Sequence, residues 1–159
     1  VTVTIRLATL EDTQLIAELV RELAEYEKLA HEAVATAEDF RGQLFGPQPK
    51  AHALIVEHDG RTAGFAIYFY NFSTFLARPG IYVEDVYIRP EFRRHGFGGA
   101  VFKYLAQQAV AEGCGRMEWS VLDWNEPAIR FYGKIGAKPM DEWTVQRLTG
   151  DALRSFAES

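Results

Sequence analysis

Between residues 81 and 112 the apolar period of the chain changes from two to about 3.6, across a seven-residue turn, Arg93-Arg94-His95-Gly96-Phe97-Gly98-Gly99. A strand that runs through glycines straight into a helix leaves few architectures, because the strand needs a sheet and the helix must pack back onto it. Glycines let backbone N–H groups approach an anion, and a helix N-terminus adds partial positive charge. The two arginines favour phosphate as that anion, although a plain tight connection accounts for the same residues. The turn lacks the Gly-x-x-x-x-Gly-Lys-Ser/Thr pattern, so a P-loop is unsupported. Val101 occupies the last position of Gly-x-Gly-x-x-Gly, and the turn falls too late in the chain for an opening mononucleotide unit, which disfavours a Rossmann dehydrogenase.

The rest of the chain fixes what surrounds this turn. Residues 1–7 alternate apolar and polar side chains and predict a half-buried strand. Thr9 with Asp12 resembles a capping box, after which Leu15, Ile16, Leu19, Val20, Leu23 and Tyr26 recur at helical spacing. Thr36 with Asp39 repeats the signal for a short helix ending by Gly46-Pro47. Residues 51–57, Asp59-Gly60 and 61–71 predict a hairpin, and Pro79-Gly80 separates it from a strand over 81–88. A helix over 98–112 follows, then a strand over 117–122. Next comes a helix opened by Asn125 and stopped by Gly136, and a last strand over 143–148. The order predicts a single α/β (α+β) domain over residues 1–159, with a mixed, mostly antiparallel sheet flanked by helices.

Composition narrows the partners. The 159 residues are 48% hydrophobic, enough for one sizeable core and too few for two ordinary domains. Residues 1–45 hold 4 Lys/Arg against 9 Asp/Glu, whereas residues 46–159 hold 13 of each. An acidic first third argues against nucleic acid and admits a cationic partner, or is simply a solvated helix face. The first ten residues lack a signal-peptide pattern, and no apolar run approaches the roughly 20 residues of a membrane span, so a cytoplasmic protein is expected. Cys114 is the single cysteine, which excludes an intrachain disulfide and a thiolate cluster. Within Gly113-Cys114-Gly115 it reads as a structural thiol. His31, His52, His58 and His95 show no ligand spacing, so no metal is expected.

With the strand over 81–88 directly before it, Arg93-x-x-Gly96-x-Gly98 resembles the acyl-CoA pyrophosphate loop of the GNAT superfamily of N-acetyltransferases. Two further segments, Tyr82-Val83-Glu84-Asp85-Val86-Tyr87-Ile88 and Trp124-Asn125-Glu126-Pro127-Ala128-Ile129-Arg130-Phe131-Tyr132, narrow the resemblance. Together with Arg21-Glu22-Leu23-Ala24-Glu25-Tyr26-Glu27, they are similar to the spermidine/spermine (diamine) and thialysine N-acetyltransferase branch. The resemblance implies the GNAT fold, acetyl-CoA as co-substrate, a small amine acceptor and a homodimer. It also implies cofactor contacts from Arg93, Arg94, His95, Gly96, Phe97, Gly98 and Gly99, from Asn125, and from Lys134. A non-catalytic acyl-CoA-binding module, or an enzyme for a peptide or protein amine, are the alternatives.

Acetyl transfer asks for a deprotonated amine, a stabilised thioester oxygen and a proton for the departing thiolate. Near pH 7 an amine of pKa about 10.4 is free base in about one molecule in 2,500, a barrier of roughly 4–5 kcal/mol. Regular strand alternation sets Glu84 on one face with Tyr82, Val86 and Ile88, a carboxylate in an apolar row, and turns Asp85 to the opposite face. Burial there raises its pKa toward a useful range. The pattern alone fits a general base and a buried ion pair with arginine equally; the resemblance favours the base. It also implies that backbone groups of Val86 and Ile88 polarise the carbonyl and hold the pantetheine arm, and that Tyr132, by pattern a core aromatic, protonates the thiolate.

For the acceptor, Tyr26 and Glu27 end the apolar stripe of the first helix, where a carboxylate and a ring can receive a cation or form a helix-end salt bridge. The branch uses this pair at its acceptor site. This chain departs from the diamine enzymes in reading Asn71-Phe72-Ser73-Thr74-Phe75, with no acid, and in having Ala30-His31 with only Glu32 nearby. Fewer carboxylates favour a small primary amine, such as a thialysine-like amino acid, over spermine. Phe65, Tyr68, Phe69, Tyr70, Phe72 and Phe75 line the site, the sheet core or a dimer contact.

Overall fold

Thr9 and Asp12 close the capping box that opens the chain's first helical turn. The Thr9 N–H donates to the Asp12 carboxylate at 2.7 Å, and Arg6 from the first strand forks onto the same carboxylate at 2.8 and 2.9 Å. The Arg6 hydrogen bond, ahead of the Thr9 contacts, holds the Asp12 carboxyl below the usual range despite its burial. The computed structural model describes residues 2–159, so Val1 of the first predicted strand lies outside the described residues. The strand itself, β1, is Thr4–Leu7, and α1 is Thr13–Tyr26. Then come α2 (Ala37–Phe45), β2 (His52–His58), β3 (Arg61–Ser73), β4 (Arg78–Ile88), α3 (Phe97–Ala111) and β5 (Arg116–Trp119). These belong to the first of two compact units, Val1–Ser120; the second is Val121–Ser159.

The sheet order is β1-β2-β3-β4-β5, antiparallel throughout except for the parallel β4–β5 pair that α3 connects. The fold class is therefore the predicted one, a mixed and mostly antiparallel sheet flanked by helices. Thr36 and Asp39 cap α2 reciprocally, and Asp59 (φ 51°) and Gly60 (φ 73°) form the tight turn between β2 and β3. On one sheet face Ile16, Leu19 and Leu23 of α1 pack with Ile55, Phe65, Ile67 and Tyr87. On the other, α3 packs against β4 and β5, burying Val101, Phe102 and Leu105, and Gln108 donates to the Tyr68 hydroxyl at 3.1 Å.

The aromatic run of β3 divides between these settings. Phe65 and Tyr68 are buried, Tyr70 and Phe72 are exposed, and Phe75 beyond the strand is 100% exposed. β4 begins at Arg78, so Pro79-Gly80 lies inside the strand rather than before it.

The second unit contains α4 (Glu126–Lys134) and α5 (Gly150–Glu158). The last strand predicted over 143–148 is not formed: these residues have no ladder partner, and Trp143 and Val145 are 76% and 80% exposed. Alternation marks a segment able to become a strand, but a strand exists only where a second edge accepts its hydrogen bonds. Among the described residues no helix is long and apolar enough to cross a membrane, and no three His, Cys, Asp or Glu side chains could hold a metal ion.

Candidate active site

The site is built on an irregularity in β4. Phe65 pairs with Tyr87 and Ile67 with Asp85, but the next residue of β3, Tyr68, pairs with Val83. Glu84 has no partner and is the extra residue of a β-bulge, a device that re-aims side chains. Cross-strand partners share a face, so Asp85 joins Ile67 and Tyr87 on the α1 side, while Val86 and Ile88, opposite Ala66 and Gly64, lie on the α3 side. The regular alternation expected from the sequence is thereby corrected. Glu84 is an exposed residue between two faces rather than a carboxylate in an apolar row, and Asp85 is the inward one. Tyr82, opposite Phe69 with ring centroids 5.1 Å apart, shares the α1 face with Asp85.

Three carboxylates meet here. Burial first, then the charges of Glu84 and Glu27, push the Asp85 carboxyl up to about 7. Burial and Glu84 likewise raise Glu27, which caps the C-terminal end of α1. Sequence reasoning missed Asp85; the available signal was two adjacent acids inside an otherwise apolar strand. No arginine pairs with Glu84 among the described residues, so the ion-pair alternative has no support. A wall of charge and rings adjoins the cluster. Tyr26 and Tyr87 stand 6.5 Å apart, and the Arg93 guanidinium lies over Tyr26, its Cζ 4.7 Å from the ring centroid. Glu22 accepts from Arg89 at 3.1 and 2.9 Å and from the Tyr87 hydroxyl at 3.3 Å, fixing the end of β4 to α1.

The adjoining edge of β4 suits an extended ligand. β4 pairs with β5 only as far as Val83, yet with β3 as far as Ile88. Along residues 84–88 the edge that faced β5 therefore has no strand partner among the described residues, leaving backbone donors and acceptors for a ligand arm. The Ile88 carbonyl is already engaged by Arg93 Nε at 2.8 Å, so its predicted role toward pantetheine narrows to the N–H. Beyond it, Arg94 (φ 70°) and Gly96 (φ 76°) take left-handed backbone, and Gly96 offers no side-chain cap to the first turn of α3. A Cβ at Gly96 or Gly98 would meet nothing within 4 Å. This uncapped helix start with open space before it fits the pyrophosphate of acetyl-CoA. His95 is exposed and Gly99 lies in the first turn, whereas the Phe97 side chain is buried, 5.4 Å from the His58 ring, leaving its backbone for a ligand.

In the second unit Asn125 caps α4, its Oδ1 accepting from the Ala128 N–H at 3.4 Å. Tyr132 is half-buried with its ring 5.8 Å from Phe131, and Lys134 is exposed in the last turn. The model of the acetyltransferase (GNAT) family matches residues 13–137. The chain belongs to the GNAT acetyltransferase family. It is 36% identical to the thialysine N-epsilon-acetyltransferase of Bos taurus, over 98% of this chain and 97% of the relative. With the L-ornithine N5-acetyltransferase NATA1 of Arabidopsis thaliana it shares 34% identity, over 96% of this chain and 86% of that one. The integron cassette protein VCH_CASS6 from V. cholerae has the same fold, with a TM-score of 0.84 at 24% identity over 100% of this chain and 99% of its own. This GNAT member is an acetyl-CoA-dependent N-acetyltransferase, and a purely binding role is set aside.

Proposed function

We propose that this acetyltransferase acts on the primary amine of a small cationic acceptor, an amino acid with a side-chain amine ahead of a diamine or polyamine. The observation that carries the reading is the convergence of Glu27, Glu84 and Asp85 beside Tyr26. Three clustered carboxylates repel one another, and an ammonium relieves that repulsion on binding. An Asp85 carboxyl near 7 is poised to exchange a proton at neutral pH, and Glu84, exposed next to it, relays a proton between the amine and solvent. The Glu84 charge is one of the causes that raise Asp85, so the base works through both neighbours rather than through Asp85 alone.

Acetyl-CoA, when bound, supplies the acyl group as an activated thioester. The N–H of Val86, on the unpaired edge of β4, is suited to polarise the thioester oxygen, and the first turn of α3 with Arg94 and His95 to hold the phosphates. By resemblance Tyr132 returns a proton to the leaving sulfur, with Asn125 and Lys134 as further contacts. The thiol of Cys114 is pushed up by burial and by Glu112, which fits direct transfer without an acyl-cysteine. The exposed Phe72 and Phe75 offer an apolar surface for the homodimer that the resemblance implies. A thiol-release assay over diamines, amino acids with side-chain amines, aminoglycosides and peptide N-termini tests the acceptor class. Turnover confined to peptides or aminoglycosides would refute it.

A further inference from the structure

Arg93 and Arg89 both lie near the end of β4, and the chain answers only one of them. Arg89 forks onto the Glu22 carboxylate. The Arg93 side chain runs back toward α1, giving Nε to the Ile88 carbonyl at 2.8 Å and lying 4.7 and 5.7 Å from the Tyr26 and Tyr87 centroids. Among the described residues no carboxylate stands within ion-pair distance of it. The guanidinium is half-buried, and a desolvated cation without an anion is costly unless a ligand supplies one.

The ring under it belongs to the residue immediately before Glu27. The wall therefore carries two separated charges, a fixed cation over Tyr26 and a carboxylate cluster at Glu27, Glu84 and Asp85. No ion pair joins the guanidinium to Glu27, Glu84 or Asp85 among the described residues, so neither charge is cancelled by the other at contact distance. A ligand complementary to such a wall has an ammonium at one end and a carboxylate at the other. Arginine is suited to the latter, since its planar fork matches two carboxylate oxygens.

We infer that Arg93 binds the carboxylate of the acceptor and so selects an α-amino acid with a terminal side-chain amine over the diamine of equal length. This rests on the acceptor reading above. It also moves the Arg93 side chain from cofactor phosphate to acceptor, leaving the phosphates to the loop backbone, Arg94 and His95.

L-Ornithine and 1,4-diaminobutane differ only by the carboxylate, and L-ornithine methyl ester keeps the shape while removing the charge. In the unaltered enzyme kcat/KM for ornithine is expected to exceed that for diaminobutane and for the ester by at least about tenfold, the usual worth of one charge-assisted hydrogen bond. Arg93→Gln should collapse that ratio toward one, and Arg93→Lys should retain part of it. A ratio near one in the unaltered enzyme overturns the inference without any variant. So does an Arg93→Gln enzyme in which the ratio is intact and the KM for acetyl-CoA has risen, since the guanidinium then serves the cofactor. If the unaltered enzyme acetylates none of the three compounds, the acceptor reading itself fails and the inference falls with it.

Discussion

Asp85 stands opposite Ile67 across the sheet, so a carboxylate occupies a β4 position whose partner is buried in the apolar layer under α1. The bulge at Glu84 creates this pairing, and it gives the site both an inward acid and an outward one.

Asp85→Asn should stabilise the protein and impair it together. The folded carboxyl, pushed up to about 7, holds its proton where an unfolded aspartate near the ordinary 3.8 has lost it. The folded state thus binds more protons between those values, and the aspartate costs stability increasingly as pH rises from about 4 to about 7. Urea melts should show the variant more stable by about 1–3 kcal/mol at pH 8.5, with little difference at pH 4. A variant less stable at both pH values would contradict the burial account. The acid limb of kcat/KM near pH 7 should vanish or move in the same variant.

Removing the outward charge has a different signature. Glu84→Gln deletes one of the like charges that raise Asp85, so the acid limb of the rate profile should shift to lower pH. The maximal rate should fall by about 10²-fold if the relay operates. An unmoved limb with an unchanged rate would leave Glu84 outside the chemistry.

For Tyr132→Phe, kcat is expected to fall about 10²- to 10⁴-fold with the far-UV spectrum preserved. Full thiol release from a folded variant with its best amine would remove the proposed acid.

Stability at low pH should depend on the start of α1. Asp12, held below the usual range by Arg6, contributes stability that is complete above about pH 4 and is lost as pH falls through its folded value. Asp12→Asn should cost about 1–3 kcal/mol at pH 6 and much less at pH 2. Equal losses at both would show that packing, rather than the ion pair, is at stake.

What the sequence disclosed and what it withheld follow from the range of the interactions. Thr9 with Asp12, Thr36 with Asp39 and Asp59-Gly60 act within four residues, and each formed where its spacing placed it. The glycine turn is equally local, which is why the start of α3 was legible. The face of Asp85 was not, because a bulge is a property of two strands in register and no pattern within β4 states it. Residues 143–148 failed as a strand for the same reason. The helix after them had a readable signal, Thr149 as cap with Leu153 and Phe156 at i, i+3 spacing, that the strand assignment obscured.

The unpaired residue at the bulge also bears on how this chain can change over generations. Deleting Glu84 would leave Val83 opposite Tyr68 and Asp85 opposite Ile67 as they are now, so β4 would close into regular alternation with all remaining side chains still on their faces. Ile81 and Val83 would stay buried, and what vanishes is the outward carboxylate and the local bend it imposes. A descendant can lose activity by substitution or by deletion at this position and keep the register of its sheet. The extra residue is held by the chemistry rather than by the architecture, so an inactive relative of this fold is free to shed it and run β4 as an unbroken strand.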